Sequence, residues 1–275
     1  HFLSKAYEAG WRALPSVAVC VKYIPDVEQV KADRETGRLL VEGAPKKMND
    51  LDKNAVEEAV KIKEALGWRS YAISIGPEGA KMALREALAM GLDEAYLICD
   101  ELLTDLSTQG TALVLAKAIE AAGGADLVLC GEVSLDSFSG QVGPRLAELL
   151  GVPCITCVRK LEVKDGSIVA ERALEDRYEE LRAPLPTVVT VTREINTPRI
   201  PSIMAIMKAK KKPLKVLKAQ DLGLGPEELE PLRSYGLMDV MAPAIERKKI
   251  EITGENVDEI AEKLIQALEK EGVLS

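Results

Sequence analysis

Short apolar runs alternate with amphipathic helical patterns along most of this chain. The runs are rich in Val, Ile and Leu and do not alternate with polar residues, which is typical of strands covered by helices on both faces. A turn signal at Asp165-Gly166 predicts a hairpin within residues 161–173. We predict strands at residues 17–23, 71–75, 94–99, 126–130, 154–158 and 187–191, and helices at residues 50–66, 79–90, 107–122 and 140–150. This order predicts an α/β protein with a doubly wound, mostly parallel sheet.

The C-terminal part of the chain has a different pattern. Residues 214–243 show no clear period and are interrupted by glycine and proline, so we predict an extended arm that lies on another surface. Residues 256–269 predict an amphipathic helix that docks either on its own domain or on a partner chain. The predicted division is an N-terminal extension at residues 1–15, an α/β domain at 16–212, and the arm with its helix at 213–275.

Composition narrows the class of protein. The chain has 275 residues, of which 47% are hydrophobic, and no apolar stretch approaches the roughly 20 residues that span a bilayer. Its net charge of -8 argues against a nucleic-acid partner. The basic run at 208–218 is interpreted as a solvated helix end or a subunit contact. Residues 1–14 resemble neither a transit peptide nor a signal peptide, and the five cysteines suit a reduced compartment, so we expect a cytoplasmic protein without a transmembrane segment.

Histidine, the most frequent acid–base catalyst, is scarce in this chain. His1 is the only histidine, which removes most zinc sites, every Ser-His-Asp arrangement and the usual base of dehydrogenases. Cys154 and Cys157 form a Cys-x-x-Cys, but it lies in a predicted strand, where positions three apart face opposite sides. We therefore expect reduced cysteines with no metal or redox role. A bound cofactor is expected to supply the chemistry.

A nucleotide is expected at the carboxyl ends of the strands, where helix N-termini present free N–H groups. The chain has neither a Gly-x-Gly-x-x-Gly after its first strand nor a Walker lysine loop. The candidate phosphate cradle is Ser137–Val142, although Ser137 or Ser139 could simply cap a helix. Asp136 could likewise be an ordinary loop acid and Phe138 a core plug. The segments at strand ends are residues 21–26, 74–79 and 131–144, with Met48-Asn49-Asp50 opening the first long helix.

A proline-punctuated loop follows the last predicted strand. Residues 194–205 contain two prolines, and a short Met- and Ile-rich helix at 204–212 ends in three lysines. Because proline restricts its own backbone and that of the preceding residue, the loop is predicted to be a rigid device. It would hold Arg199 and Ile203 out toward a partner.

These motifs together resemble the β subunit of electron transfer flavoproteins. The resemblance rests on Val-Lys-x-x-Pro-Asp after the first strand, Met48-Asn49 before Ala-Val-Glu-Glu-Ala, and the segments at 87–91, 126–131 and 196–212. It implies an adenine nucleotide α-hydrolase-like fold and an obligate heterodimer whose α subunit holds the electron-transferring FAD. It also implies that the β subunit buries a second adenine nucleotide. The residues implied to line that pocket are Cys20, Lys22, Asn49, Asp52, Ile75, Gly76, Gly131, Asp136, Ser137, Phe138, Ser139, Gly140, Gln141 and Val142.

Within that family, several features resemble the electron-bifurcating branch. They are Pro25-Asp26, the Gln-Val-Gly-Pro at 141–144 and Pro201-Ser202. Phe138 and Ile200 depart from the branch's pattern, whereas Ser139 keeps a hydroxyl for a phosphate. The resemblance implies FAD that takes hydride from NADH and splits the electron pair. One electron goes through the α-subunit FAD to a high-potential acceptor, the other to a ferredoxin-like iron–sulfur protein.

Other functions remain open at this stage. The non-bifurcating form of the family binds structural AMP in place of FAD. The partner reached through the recognition loop at 194–205 would be a dehydrogenase or a quinone reductase, with Arg199 steering and Ile203 as the anchor. Oxidoreductase activity would then belong to the multi-subunit complex. An ATP-binding stress-response domain, a nucleotide hydrolase or a scaffold subunit without nucleotide are the alternatives outside this family.

Overall fold

The strands and helices follow the predicted alternation over most of the chain. The computed structural model describes residues 14–234, 240–242 and 248–274. The strands are β1 (Ser16–Cys20), β2 (Tyr23–Pro25), β3 (Lys31–Ala32), β4 (Leu39–Leu40), β5 (Lys46–Met48), β6 (Arg69–Ile75), β7 (Glu94–Ile98), β8 (Leu127–Gly131), β9 (Cys154–Lys164), β10 (Ser167–Ala173), β11 (Tyr178–Pro184), β12 (Thr187–Val191) and β13 (Leu214–Leu217). The α-helices are α1 (Asp50–Leu66), α2 (Lys81–Met90), α3 (Thr108–Ala121), α4 (Val142–Leu150), α5 (Ile203–Ala209), α6 (Pro226–Leu229) and α7 (Val257–Lys270).

Nine of these strands form one sheet, in the order β11-β10-β9-β12-β8-β1-β6-β7-β13. The seven strands from β9 to β13 in that order are parallel, and β10 and β11 extend one edge in antiparallel fashion. From β1 the chain proceeds to β6 and β7 on one side, whereas β8 leads to β12 on the other. The sheet therefore has a topological switch point between β1 and β8, where open α/β sheets bind ligands.

Each face of the sheet is covered by its own apolar layer. Val17 and Val19 of β1 face a core built with α1 and α2, whereas Ala18 of the same strand faces α3 and α4. Such alternation puts successive side chains on opposite faces, and both faces are buried. The prediction of a doubly wound, mostly parallel sheet is confirmed.

The hairpin is larger than predicted. Its turn at Asp165-Gly166 lies where expected, with both residues at positive φ. A further strand, β11, returns beside β10. The sequence prediction missed β11 because an exposed edge strand of Tyr, Glu and Arg has no apolar run.

The predicted arm begins later than residue 213. Leu214–Leu217 pair with β7 as the last parallel strand of the sheet, so the expectation of an arm at this point was wrong. This edge strand is only four residues long and partly exposed, so its residues show no clear hydrophobic period. Helix α5 also ends at Ala209, short of the predicted lysine run. Most of the predicted N-terminal extension, including His1, lies outside the described residues.

Cys154 and Cys157 do not lie on a regularly alternating strand, contrary to the expectation from sequence. The register of β9 against β12 shifts between the Ile155–Val189 and Val158–Val191 pairs, and Cys157 has φ +59°. This bulge inserts one extra residue, so simple alternation of faces is lost. Burial raises the pKa of both thiols, which is the opposite of the lowered pKa that activates a cysteine.

Candidate nucleotide-binding cleft

A cleft opens at the switch point of the sheet, beyond the carboxyl ends of β1, β6 and β8. Its volume is about 590 Å³. Cys20 and Cys130, on the neighbouring strands β1 and β8, lie in its floor. Concave sites that bind small molecules commonly have volumes of this order.

Most of the sequence-predicted site residues line this cleft. Those that do so are Cys20, Lys22, Asp52, Ile75, Gly76, Gly131, Ser137, Ser139, Gly140, Gln141 and Val142. Three others, Asn49, Asp136 and Phe138, do not line it. Asn49 and Asp136 instead bond to residues that line the cleft.

Asn49 is fully buried and ties three segments together. Although it occupies the N-cap position of α1, its side chain makes no capping bond. Its Nδ2 donates to Asp52 Oδ1 at 3.0 Å and to the Val133 carbonyl at 3.0 Å, and its Oδ1 accepts from the Leu135 N–H at 3.1 Å. Asn49 thus fixes the loop after β8 against the first turn of α1.

Asp52, in the first turn of α1, joins the same network. Its Oδ2 accepts the Lys22 backbone N–H at 2.7 Å. Burial raises the pKa of Asp52 to about 7, although the bonds from Lys22, Asn49 and Gly131 act in the opposite direction. The carboxyl therefore titrates near neutral pH inside the cleft.

Gly131 is required where β8 passes beneath α1. A Cβ at this position would lie 2.5 Å from Asp52 Oδ1 and 2.9 Å from Leu51 Cβ. Only glycine allows strand and helix to approach this closely. Gly131 and Asp52 both line the cleft, so this close approach forms part of its wall.

The loop after β8 is tied to the end of β1 by an ion pair. Lys22 Nζ contacts Asp136 Oδ1 at 2.8 Å and Ser134 Oγ at 3.2 Å. Burial by itself would raise the pKa of Asp136, but its bonds to Lys22 and Ser134 lower it overall, so the carboxylate is ionised. Ser134 also bonds the hydroxyl of Ser137 at 2.9 Å. Asp136 is therefore more than an ordinary loop acid, because it orients the cationic side chain at the cleft.

Two helices begin at the cleft. Val142 opens α4, and Ser107 caps α3 with its Oγ accepting the Gly110 N–H at 3.2 Å. Thr108 Oγ1 donates to Gln141 Oε1 at 2.9 Å, which links the two helix starts. The first N–H groups of a helix have no partner within it and carry partial positive charge. Two such ends beside Lys22 suit phosphate groups.

The contribution of α3 was missed by the sequence prediction. Ser107, Thr108 and Thr111 line the cleft together with Leu103, Asp105, Leu106 and Ser234. A signal was present, since Ser107-Thr108-Gln109-Gly110-Thr111 opens a helix that follows a parallel strand of the same sheet. Ser234 carried no such signal, because a loop residue far along the chain reaches the cleft only through the fold.

Phe138 is not a core plug. Its side chain is 69% exposed and its backbone has φ +52°, a strained conformation for a bulky residue. Its N–H donates to the Ser134 carbonyl at 2.8 Å, which closes the turn. The alternative that placed this ring in the core was wrong.

A second cavity of about 760 Å³ adjoins the cleft and shares Gly76, Leu103 and Asp105 with it. It lies at the ends of β6, β7 and β13. The two cavities therefore lie side by side at the same edge of the sheet, and these shared residues lie between them.

The recognition loop lies apart from the cleft. Ile203 is 81% exposed, and its role as an anchor stays a prediction. Arg199, which we expected to steer a partner, instead forms ion pairs with Glu57 and Glu64 of α1. Its side chain is thus engaged within the chain, because its guanidinium reaches two carboxylates on the neighbouring helix.

Two kinds of feature are missing from the part of the chain that the structure describes. No group of three or more His, Cys, Asp or Glu side chains is placed to hold a metal ion. Among the described helices, none combines the length and the apolar character needed to cross a bilayer.

Comparison with known proteins identifies the family. The electron transfer flavoprotein domain matches residues 37–222. The chain is 41% identical to the electron transfer flavoprotein subunit beta of Thermoanaerobacterium thermosaccharolyticum, over 94% of this chain and 100% of the relative. It is 43% identical to the subunit of the same name from Bacillus subtilis, over 78% and 82%. The caffeyl-CoA reductase-Etf complex subunit CarD of Acetobacterium woodii is 35% identical over 94% and 99%. This chain therefore belongs to the β-subunit family of the electron transfer flavoproteins.

Proposed function

We propose that this subunit binds FAD in the cleft and takes part in electron bifurcation from NADH. Membership of the family establishes the coarser statement, that the chain is an electron-transfer subunit with an α subunit as its partner. The nature of the nucleotide and the fate of the electrons are the proposed part.

The proposal rests on the two adjoining cavities and on the hydrogen-bond donors that line the first of them. The starts of α3 and α4 converge with Lys22 on one region, which suits the pyrophosphate of a dinucleotide. The second cavity lies beside this region and shares Asp105 with it. AMP has one phosphate and one ring system, so it would leave the second cavity unused, whereas FAD has a second ring system that could occupy it.

The chain's own residues bind and orient. Asp136 holds the Lys22 ammonium at the phosphate region, and the hydroxyls of Ser137 and Thr108 lie beside the helix starts. Val21 and Ile75 also line the cleft and would exclude water from a bound nucleotide. A bound flavin would supply the redox chemistry, accepting hydride from NADH and releasing the two electrons singly.

The decisive experiment is the identity and stoichiometry of the nucleotides released from the purified heterodimer. Two FAD per heterodimer would support the proposal, whereas one FAD and one AMP would refute it. A coupled assay then tests bifurcation: NADH should reduce a ferredoxin only when a high-potential acceptor is also present. Ferredoxin reduction that does not depend on that acceptor would contradict coupling.

The surface of α7 supports the proposed pairing with the α subunit. The helix has no buried residue in the described chain, and its apolar side chains Val257, Ile260, Leu264 and Ile265 are all exposed. An amphipathic helix with a bare apolar face is expected to pack against another surface. We propose that the α subunit packs against this face of α7 and against the C-terminal arm.

A charged substitution on the apolar face of α7 tests whether this helix contacts the α subunit. Leu264→Asp should dissociate the heterodimer in sedimentation experiments, because a carboxylate would be buried in an apolar contact. Gln266→Asp adds the same charge beside it on the exposed helix and serves as the matched control. An intact heterodimer with Leu264→Asp would remove α7 from the interface.

The recognition loop supports a third part of the proposal, docking of a dehydrogenase or quinone reductase. Ile200 is 94% exposed next to the exposed Ile203 and Met204, which forms an apolar patch. The relative in a reductase-Etf complex agrees with function inside a larger assembly. Ile203→Ala should raise the KM for the partner without altering NADH oxidation by an artificial dye. An unchanged KM would exclude Ile203 as the anchor.

A further inference from the structure

Arg199 makes a dense set of bonds to α1. Its backbone N–H and its Nε both donate to Glu57 Oε2, at 3.0 and 2.9 Å, and its Nη2 donates to Glu57 Oε1 at 3.0 Å. Nη1 and Nη2 also donate to the two oxygens of Glu64, at 2.6 and 3.0 Å. The guanidinium fork therefore bridges two carboxylates that lie two turns apart along one helix.

The burial of these carboxylates differs. The Glu57 side chain is 6% exposed, so its charge depends on Arg199 for compensation. Glu64 is 55% exposed, and its bond to Arg199 lowers its pKa, so it is ionised at neutral pH. Removing Glu64 thus loosens the bridge without leaving a buried charge behind.

A second tie lies three residues earlier in the loop. Asn54 Nδ2 donates to the Asn196 carbonyl at 2.8 Å, and Asn196 Nδ2 donates back to the Asn54 carbonyl at 3.0 Å and to Glu58 Oε2 at 3.0 Å. Both ends of the segment from Asn196 to Arg199 are consequently held on α1. Pro198 stiffens the chain between them.

The residue after this bridge, Ile200, is almost wholly exposed. Apolar side chains gain free energy by leaving water, so a free loop would tend to fold Ile200 and Ile203 onto the nearest apolar surface. The bonds of Arg199 oppose that collapse because they fix the backbone immediately before Ile200. We propose that Arg199, held by Glu57 and Glu64, is a positioning residue that keeps Ile200 and Ile203 presented for the electron-transfer partner.

The same helix links this loop to the cleft. Asp52, in the first turn of α1, lines the cleft, and Glu57 lies five residues further along. A helix rises about 1.5 Å per residue and is stiff over this length. The Arg199 bridge therefore ties the backbone before Ile200 to the same helix that lines the cleft.

Two variants test the proposal, and both spare the buried charge. Glu64→Gln removes one carboxylate, and Arg199→Lys keeps the positive charge near Glu57 but cannot bridge both carboxylates. Arg177→Lys is the matched control, because Arg177 pairs with Asp176 and Glu179 and not with the carboxylates of α1. All three are made in the full-length heterodimer.

The first readout is hydrogen exchange of residues 196–203. Exchange should accelerate by about three- to fivefold in Glu64→Gln and Arg199→Lys and stay unchanged in Arg177→Lys. The second readout uses a purified flavin-dependent dehydrogenase that exchanges electrons with the wild-type heterodimer. Its KM should rise by a similar factor, while kcat at saturating dehydrogenase and the melting temperature stay at wild-type values. Unchanged exchange together with an unchanged KM in both variants would overturn the proposal.

This inference rests on the proposed docking role of the loop, and the two can fail separately. If Ile203→Ala raises the KM but Arg199→Lys and Glu64→Gln do not, docking stands and the positioning role fails. If Ile203→Ala leaves the KM unchanged while the exchange of the loop accelerates in the bridge variants, docking fails and Arg199 merely orders the loop.

Discussion

Replacing Gly131 by alanine tests how closely β8 and α1 must approach to form the cleft. The added methyl group would lie 2.5 Å from Asp52 Oδ1, 2.9 Å from Leu51 Cβ and 3.1 Å from the Asp52 nitrogen. Ordinary contacts between such atoms are about 3.5 Å, so the first turn of α1 must withdraw by roughly 1 Å.

The neighbours of Gly131 have little freedom to relax. The Asp52 carboxylate is held by the Lys22 N–H and by Asn49 Nδ2, and Leu51 belongs to the helix backbone turn itself. Overpacking of this kind costs about 1–3 kcal/mol. For a domain of this size that corresponds to a melting temperature lowered by roughly 2–10 °C. Because Asp52 and Gly131 both line the cleft, nucleotide affinity should fall by about tenfold or more.

Calorimetry on the heterodimer measures both effects. Titration of FAD or AMP into nucleotide-free protein gives the affinity, and a thermal scan gives the melting temperature. Gly43→Ala is the matched control, because no atom lies within 4 Å of its added Cβ. If Gly131→Ala binds and melts like the wild type while Gly43→Ala does the same, the close approach of β8 to α1 does not shape the site.

Three further predictions follow from single contacts. Burial raises the pKa of Asp52 to about 7, from about 3.9 in the unfolded chain. The stability that Asp52 contributes is therefore complete below pH 4 and is lost as the pH rises to 7, a change of roughly 4 kcal/mol in the unfolding free energy. Urea titrations at several pH values should show that Asp52→Asn loses this pH dependence. Lys22→Gln should weaken FAD or AMP binding about fivefold and reduce the dependence of that affinity on salt concentration, because Asp136 orients the Lys22 cation at the cleft. The same salt dependence in the variant and the wild type would contradict this role. Tyr71→Phe should lower the unfolding free energy measured in urea by about 1–2 kcal/mol, because the Tyr71 hydroxyl donates to the buried Gly124 carbonyl at 2.8 Å. Nucleotide affinity should stay unchanged. An unfolding free energy equal to that of the wild type would show that this bond does not stabilise the fold.

Local pattern was sufficient for the central sheet. The apolar runs at β1, β6, β7, β8 and β12 are buried on both faces, and such strands differ clearly from the amphipathic helices between them. Pattern was insufficient at the edges of the sheet. There β11 and β13 are partly exposed, so their residues need not be apolar. The pairing partner, which the local sequence does not reveal, makes each of them a strand.

The cleft shows the same division. Residues that directly follow a strand, such as Lys22, Gly76 and Gly131, could be placed from the sequence because the carboxyl ends of parallel strands share one edge. Ser234 could not, since it reaches the cleft from a loop that no motif marks. The role of Arg199 was also misjudged. A charged residue in a proline-rich loop resembles a partner contact until the positions of Glu57 and Glu64 are known.

The sequence by itself determined the doubly wound sheet, the edge at which a ligand binds and the family, because hydrophobic periodicity and short motifs act over neighbouring residues. Only the tertiary structure decided which side chains meet. Asn49 makes no capping bond and instead holds the loop after β8, Asp52 becomes buried enough to titrate near pH 7, and Arg199 closes onto α1. Each of these outcomes joins residues far apart in the chain, and burial and hydrogen-bond geometry exist only once the chain has folded.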